Sequence, residues 1–392
     1  MIPALMPTYN RAELVFEHGE GVWLQTADGR RFLDFGSGIA TSSVGHGNRH
    51  VIEAITAQLG KVLHSSNLYR IPQAERLAKR LVDASFADSV FFCNSGAEAD
   101  EGMIKIMRRA AWDAGQHERN RIITFEGAFH GRTLATLSAA GNAHYLEGFG
   151  PKAEGFDQVP YNDLEAVRKA ITPQTCGIML EAVQGEGGIR PADLDFLRGL
   201  RQLADEHGLM LGFDEVQCGM GRTGKLFAFE WSGITPDVCA TAKGLGGGFP
   251  IGAVLARENL AKHLVPGTHG STFGGNPTAC AAGNAVLDIL LAPGFLDGVA
   301  HKGELLSAGL QKLVAEFPKV FLLTRGRGLM QGLKCATGTS MQMQRALEAE
   351  GLLSVAAGDE VIRFVPPLVV GEAEIAEALV RIRAAAAKVA AQ

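Results

Sequence analysis

The sequence predicts an α/β protein, a mostly parallel central sheet flanked by helices, with a smaller α+β unit built from both chain ends. Two patterns carry this. Short apolar runs rich in Val, Ile and Phe have the length and composition of buried strands: SVFFC (89–93), RIITF (121–125), CGIMLE (176–181), LMLGFDE (209–215) and IGAVLA (251–256). Helix-like stretches, such as 96–112 and 193–207, lie between several of them. Strands that alternate with helices are joined by crossovers, and crossovers set neighbouring strands parallel.

The two ends read differently. Within residues 12–35, WLQTADGRRFLDF spells strand, Asp-Gly turn, strand, the pattern of a hairpin. Beyond residue 285 come a long helical stretch, short strands near 320–334 and 361–365, and a closing helix, EAEIAEALVRIRAAAAKVAA. The expected division is therefore 1–45 and 286–392 for the small unit and 46–285 for the large one. A chain of 392 residues is long enough for two such units around a large core.

Composition excludes several classes. Hydrophobic residues make up 46% and charged residues 20%, as in ordinary soluble proteins. The net charge of −5 and the lack of like-charge blocks argue against nucleic acid or an anionic membrane as partner. Cys93, Cys176, Cys218, Cys239, Cys280 and Cys335 show no metal-type spacing and fall mostly in apolar stretches. They are expected to be reduced core thiols of a cytoplasmic protein. The N-terminus lacks a basic start followed by an apolar segment, and no apolar run reaches membrane-spanning length, so neither a signal peptide nor a membrane span is expected.

The chemistry starts at TAKGLGGGFPIGA (241–253), where Lys243 precedes four glycines within five residues. An amine there, beside backbone with so little side chain, suits reaction with a carbonyl. In CNSGAEADEGM (93–103) a strand ends and a helix begins. Asn94 or Ser95 can cap that helix, leaving the N–H groups of Gly96 and Ala97 for a phosphate, or the segment is a plain cap with nothing bound. GFDEVQCGMGRTG (212–224) puts Asp214 and Glu215 after a buried strand, where ligands of open α/β sheets bind. A carboxylate there pairs with a cationic ring nitrogen or serves as a cap or ion pair. No His or second acid follows at metal-ligand spacing, so no metal is expected. FEGAFHGRT (125–133) offers Phe129 to stack on a flat ring and Arg132 to fork onto a carboxylate, while His130 reads as structural. HGSTFGGNP (269–277) is an anion-binding loop through Ser271 or Thr272, or a surface turn. A flat ring, a phosphate, a carbonyl and a ring nitrogen together describe pyridoxal 5'-phosphate, which pairs a lysine Schiff base with an acidic partner on its pyridine nitrogen.

SGAEA, FHGRT, VQGEGG, FDEVQCGMGRTG, AKGLGGGFPIGA, HGSTFGGNP and RGRGLM occur in order, and with them the chain resembles the class III (ω-amino acid) pyridoxal-phosphate aminotransferases of fold type I. The likeness runs from FLDFGSGIA to IRFVPPLVV. It implies that Ser95, Gly96 and Ala97 hold the phosphate, Phe129 stacks on the ring, and Asp214 meets the pyridine nitrogen. Glu215, Val216 and Gln217 complete the cofactor site, Gln217 at the ring hydroxyl, and Lys243 carries the Schiff base. Thr272 would reach the phosphate in a neighbouring subunit, implying a homodimer with shared active sites.

The same resemblance implies the substrates. Arg132 and Ser271 match residues that hold the carboxylate end of N2-acetylornithine. Arg363, in VIRFVPPL, matches the arginine that grips the α-carboxylate of glutamate and 2-oxoglutarate. Glu186 matches the acid that covers this arginine when a terminal amine enters; an ordinary fixed salt bridge is the alternative. Succinyldiaminopimelate or another ω-amino acid, 4-aminobutyrate-like, is the alternative donor. Ala182 stands where proline is common, Cys218 where threonine is common, and GHGNRH lacks the usual His-Pro. The segment after SGAEA is also atypical. Ile39 stands where ornithine δ-aminotransferases have tyrosine, which argues against free ornithine.

Overall fold

The computed structural model describes residues 3–391. Its centre is a seven-stranded sheet of β1 (Ser89–Cys93), β2 (Arg121–Phe125), β3 (Phe156–Val159), β4 (Thr175–Glu181), β5 (Met210–Asp214), β6 (Val238–Thr241) and β7 (Gly252–Ala256). The spatial order is β1-β7-β6-β5-β4-β2-β3. Only β7 runs against its neighbours, pairing antiparallel with both β6 and β1, while the remaining pairs are parallel. All seven residues of β4 are buried, as a strand covered on both faces requires.

The sequence reading located five of these strands and missed β3 and β6. The reason lies in their composition. β3, FDQV, carries two polar residues at its centre, and β6, VCAT, is short and built from small side chains. The helix expected over 96–112 is α1 (Gly96–Asp113), and the one over 193–207 is Leu194–His207, stopped by Gly208 in the left-handed conformation.

The hairpin near the N-terminus is one half of a meander, Phe16–Glu20, Trp23–Thr26 and Arg31–Asp34. Distant chain joins it: Leu352–Leu353 pairs parallel with Arg31–Asp34. Nearby, Phe321–Arg327, Met330–Cys335, Val361–Phe364 and Val355–Ala357 form a four-stranded antiparallel sheet. Both ends also lean on each other through Val365 N–H to Phe35 O (2.7 Å) and Leu368 N–H to Ser43 O (2.7 Å). The long helical stretch after 285 is two helices, Pro277–Leu290 and Phe295–Glu316, bent by 73° from one another. Among the described residues no single helix is long and apolar enough to cross a membrane. The six cysteines are buried and unpaired.

Candidate active site

Five parallel strands deliver their carboxyl ends to one place. β1 leads into Asn94–Ala97, β2 into Phe129–Arg132, β4 ends on Glu181, β5 on Asp214, and β6 runs into Lys243. These residues, with Val216, Gln217 and Glu186, line a cavity of about 470 Å³. This is where an open α/β sheet binds its ligands.

At the start of α1, Ser95 is the N-cap, its Oγ accepting from Glu98 N–H at 3.2 Å. The Glu98 carboxylate reaches back to Asn94 N–H at 2.6 Å, and Ala99 N–H bonds Ser95 O at 3.1 Å. Of the first-turn N–H groups, those of Gly96 and Ala97 remain for an anion, at the positive end of an 18-residue helix. A larger residue at position 96 would have to displace the Val216 side chain. A Cβ there would lie 2.6 Å from Val216 Cγ1, so glycine lets the helix start close against Val216.

Lys243 is half-buried at the cavity and opens a short 3₁₀ turn with φ of +38°. A residue with a side chain rarely adopts this, and such strain costs about 1–3 kcal/mol. The turn holds it through Leu245 N–H to Ala242 O (2.8 Å) and Gly246 N–H to Lys243 O (3.2 Å). Burial, then the positive charge of Arg363, lower the pKa of the Lys243 ammonium. That raises the fraction present as a neutral, nucleophilic amine.

Asp214 is buried, with Oδ1 accepting from Val216 N–H at 2.9 Å and Oδ2 facing His130 Nδ1 at 2.7 Å. Burial opposes a charge on His130, but the Asp214 hydrogen bond and its negative charge prevail and the imidazole pKa is raised. The sequence reads His130 as structural; here its partner is the central carboxylate of the site. Glu181 escaped the sequence reading. It accepts from Phe129 N–H on one oxygen and Gly185 N–H on the other, both at 2.9 Å, so it anchors the Phe129 backbone and the QGEGG loop together. The signal was present: an acid closing a buried strand, as Asp214 does.

The residues expected to meet substrate fall into two groups. Arg363 is 1% exposed, and its Nη1 donates to Glu186 Oε1 and to Gln217 Oε1, each at 2.7 Å. The Glu186 backbone is held as well, its carbonyl accepting from Gly358 N–H at 2.8 Å. Arg132 is exposed at the cavity, its guanidinium 3.9 Å from the Tyr145 ring centroid and 5.5 Å from that of Phe129. Nothing in the sequence spacing pointed to Tyr145.

Three expected residues stand elsewhere. Glu215 turns from the cavity into the core, where its carboxylate accepts from Ala228 N–H and Phe229 N–H, both at 2.8 Å, and burial pushes its pKa up to about 8. Its place after the strand made it look like a ligand, but successive residues of extended chain point to opposite sides. Ser271 and Thr272 line a separate hollow with Phe91, Glu98 and His269. Ser271 Oγ is occupied there by Asn94 Nδ2–H (3.1 Å) and Gly274 N–H (2.9 Å).

An anion cradle at a helix start, an aromatic side chain, a carboxylate fixed by two donors and a lysine with lowered pKa thus share one cavity. That donor set fits pyridoxal 5'-phosphate. A family description, aminotransferase class-III, matches residues 6–386, and the chain belongs to that family, whose members depend on pyridoxal phosphate. It is 58% identical over 383 residues to an acetylornithine aminotransferase of Mesorhizobium japonicum, covering 98% of this chain and 96% of the relative. Among solved structures it resembles an N-acetylornithine aminotransferase from Stenotrophomonas maltophilia, with TM-score 0.86, 38% identity and 98% of each chain covered. An ornithine aminotransferase from Toxoplasma gondii, described with partial occupancy of PLP at its active site, superposes with TM-score 0.94 at 29% identity, covering 98% of this chain and 92% of that one.

Proposed function

We propose that this chain moves the δ-amino group of N2-acetylornithine to 2-oxoglutarate, giving N-acetylglutamate 5-semialdehyde and glutamate, a step of arginine biosynthesis in the cytoplasm. Bound pyridoxal phosphate supplies an aldehyde that carries the amino group and a ring that takes up the electron pair left when a substrate carbon loses its proton. Gly96 and Ala97 bind its phosphate through their N–H groups, capped by Ser95, and Phe129, with Val216, borders its ring. Asp214, steadied by His130 and Val216, holds a proton on the ring nitrogen. Lys243 attaches the cofactor, and as a free amine it moves the proton at the substrate carbon.

The observation that carries the substrate reading is the Arg363–Glu186 pair at 2.7 Å. One site must accept glutamate, with a carboxylate beside the reacting carbon, and then an ω-amine with none. Arg363 binds that carboxylate when Glu186 swings away, and Glu186 covers the guanidinium when the ω-amine enters. Arg132, exposed and stacked on Tyr145, is suited to the carboxylate at the far end of the longer donor. The position of Thr272 and Ser271 outside the cavity of their own chain supports a homodimer in which each copy completes the other's site.

A donor screen with 2-oxoglutarate as acceptor tests this reading. N2-acetylornithine should give the highest kcat/KM. A preference for succinyldiaminopimelate or 4-aminobutyrate would replace the proposed donor while leaving the reaction type in place.

A further inference from the structure

Four acids border the cavity: Asp214, Glu181, Glu186 and, from the second turn of α1, Asp100. Three have work assigned above, and Asp100 has none. It is 1% exposed, and its Oδ1 has no hydrogen-bond partner among the described residues. One of its oxygens, a ring nitrogen of His130 and an oxygen of Asp214 lie within 4.8 Å of one another. Around Asp100 stand Asp214, Glu181, Lys243, His130 and the thiols of Cys93 and Cys239.

A second ionised carboxylate so close to Asp214, away from water and with an unpartnered oxygen, is strongly disfavoured. Burial first, and the charge of Asp214 next, push the Asp100 carboxyl well above the usual carboxylate range. A cation could relieve the same repulsion, but His130 Nδ1 and Asp214 Oδ2 are already in direct hydrogen-bond contact at 2.7 Å. A proton is the smaller solution.

We propose that Asp100 is a positioning residue whose carboxyl keeps its proton at neutral pH and donates it in a hydrogen bond to Asp214. The Asp214 carboxylate then has three donors: Val216 N–H, the His130 ring and the Asp100 O–H. They fix its direction toward the ring nitrogen, and the neutral acid keeps a competing negative charge away from it. This inference rests on Asp214 serving the cofactor's ring nitrogen.

Asp100→Asn and Asp100→Ala in the full-length enzyme test it. Infrared difference spectra of wild type against Asp100→Asn at pH 7, with and without cofactor, should show the carbonyl stretch of a protonated carboxyl that shifts in D2O and is lost in the variant. No such band means Asp100 is ionised, and the proposal fails. Cofactor loss on dilution should quicken about tenfold in Asp100→Ala, the worth of one hydrogen bond to a charged acceptor, and stay within about twofold of wild type in Asp100→Asn, whose amide N–H donates instead. Equal loss in both variants, or none in either, also overturns it. Should Asp100→Ala not fold, the infrared comparison decides alone. Because that comparison includes cofactor-free protein, it stands apart from the role of Asp214; cofactor retention unchanged in Asp214→Asn would refute that role and leave the band in place.

Discussion

Replacing Glu186 by Ala separates a dual-substrate switch from a fixed ion pair. In the resting structure the Arg363 guanidinium is 1% exposed and shares Nη1 between Glu186 and Gln217. Removing one partner from a buried pair costs about 3–5 kcal/mol when the remaining charge is left bare. Here Gln217 still accepts from Arg363 and Glu186 is 28% exposed, so the pair is neither isolated nor dry. The loss is better set at the worth of one hydrogen bond to a charged group, about 1.5–3 kcal/mol, or roughly 10–100-fold in rate. It should fall on the half-reaction with N2-acetylornithine, where the uncovered Arg363 draws the donor's carboxylate into the wrong end of the site. The glutamate half-reaction should be spared or improved, since its α-carboxylate no longer displaces an acid. Single-turnover absorbance traces with each donor separately give both rates without product release intervening. Arg363→Ala should show the opposite preference. If Glu186→Ala slows both half-reactions to the same degree, the switch is refuted and the pair is structural.

Three further outcomes follow from the same geometry. Purified enzyme should be yellow, and borohydride reduction should fix the cofactor on Lys243 in peptide mass spectra; Lys243→Ala should lose at least about 10²–10⁴-fold in turnover while retaining cofactor, and a label on another lysine would refute the assignment. Asp214→Asn should weaken cofactor binding and slow both half-reactions by orders of magnitude with little change in fold; loss of the melting transition in parallel with activity would make Asp214 merely structural. Glu215, raised by burial to about 8 from an ordinary value of 4.5, favours the folded state when protonated. Its contribution is therefore fully present below about pH 4.5 and is lost as pH rises through about 8, a slope worth several kcal/mol in all. Denaturant titrations across that window should show Glu215→Gln flattening the slope, and an unchanged slope would sink this account.

Much of the site was legible because it is local. A strand, a turn of small residues and a helix start are contiguous in sequence, so Ser95–Ala97, Phe129, Asp214 and Lys243 could be placed by strand ends alone. What needed the structure were relations across the chain. Arg363 meets Gln217 across 146 positions and Glu186 across 177, and Glu181 reaches Phe129 across 52. Hydrophobic periodicity carries no information about such pairs, because they are fixed by sheet order.

The sequence by itself therefore determined the α/β class, the cofactor and most of the residues that gather around the candidate cavity. Repeating strand–helix patterns dictate a parallel sheet, and such a sheet gathers its strand ends at one edge. Tertiary structure decided the rest: that Glu215 faces the core and not the cavity, that Ser271 and Thr272 belong to another hollow, and that Asp100 stands within 4.8 Å of Asp214 and His130. In each case the outcome turned on which side of the backbone a side chain takes and what packs against it there. Only the closed, dry interior makes that difference one of charge.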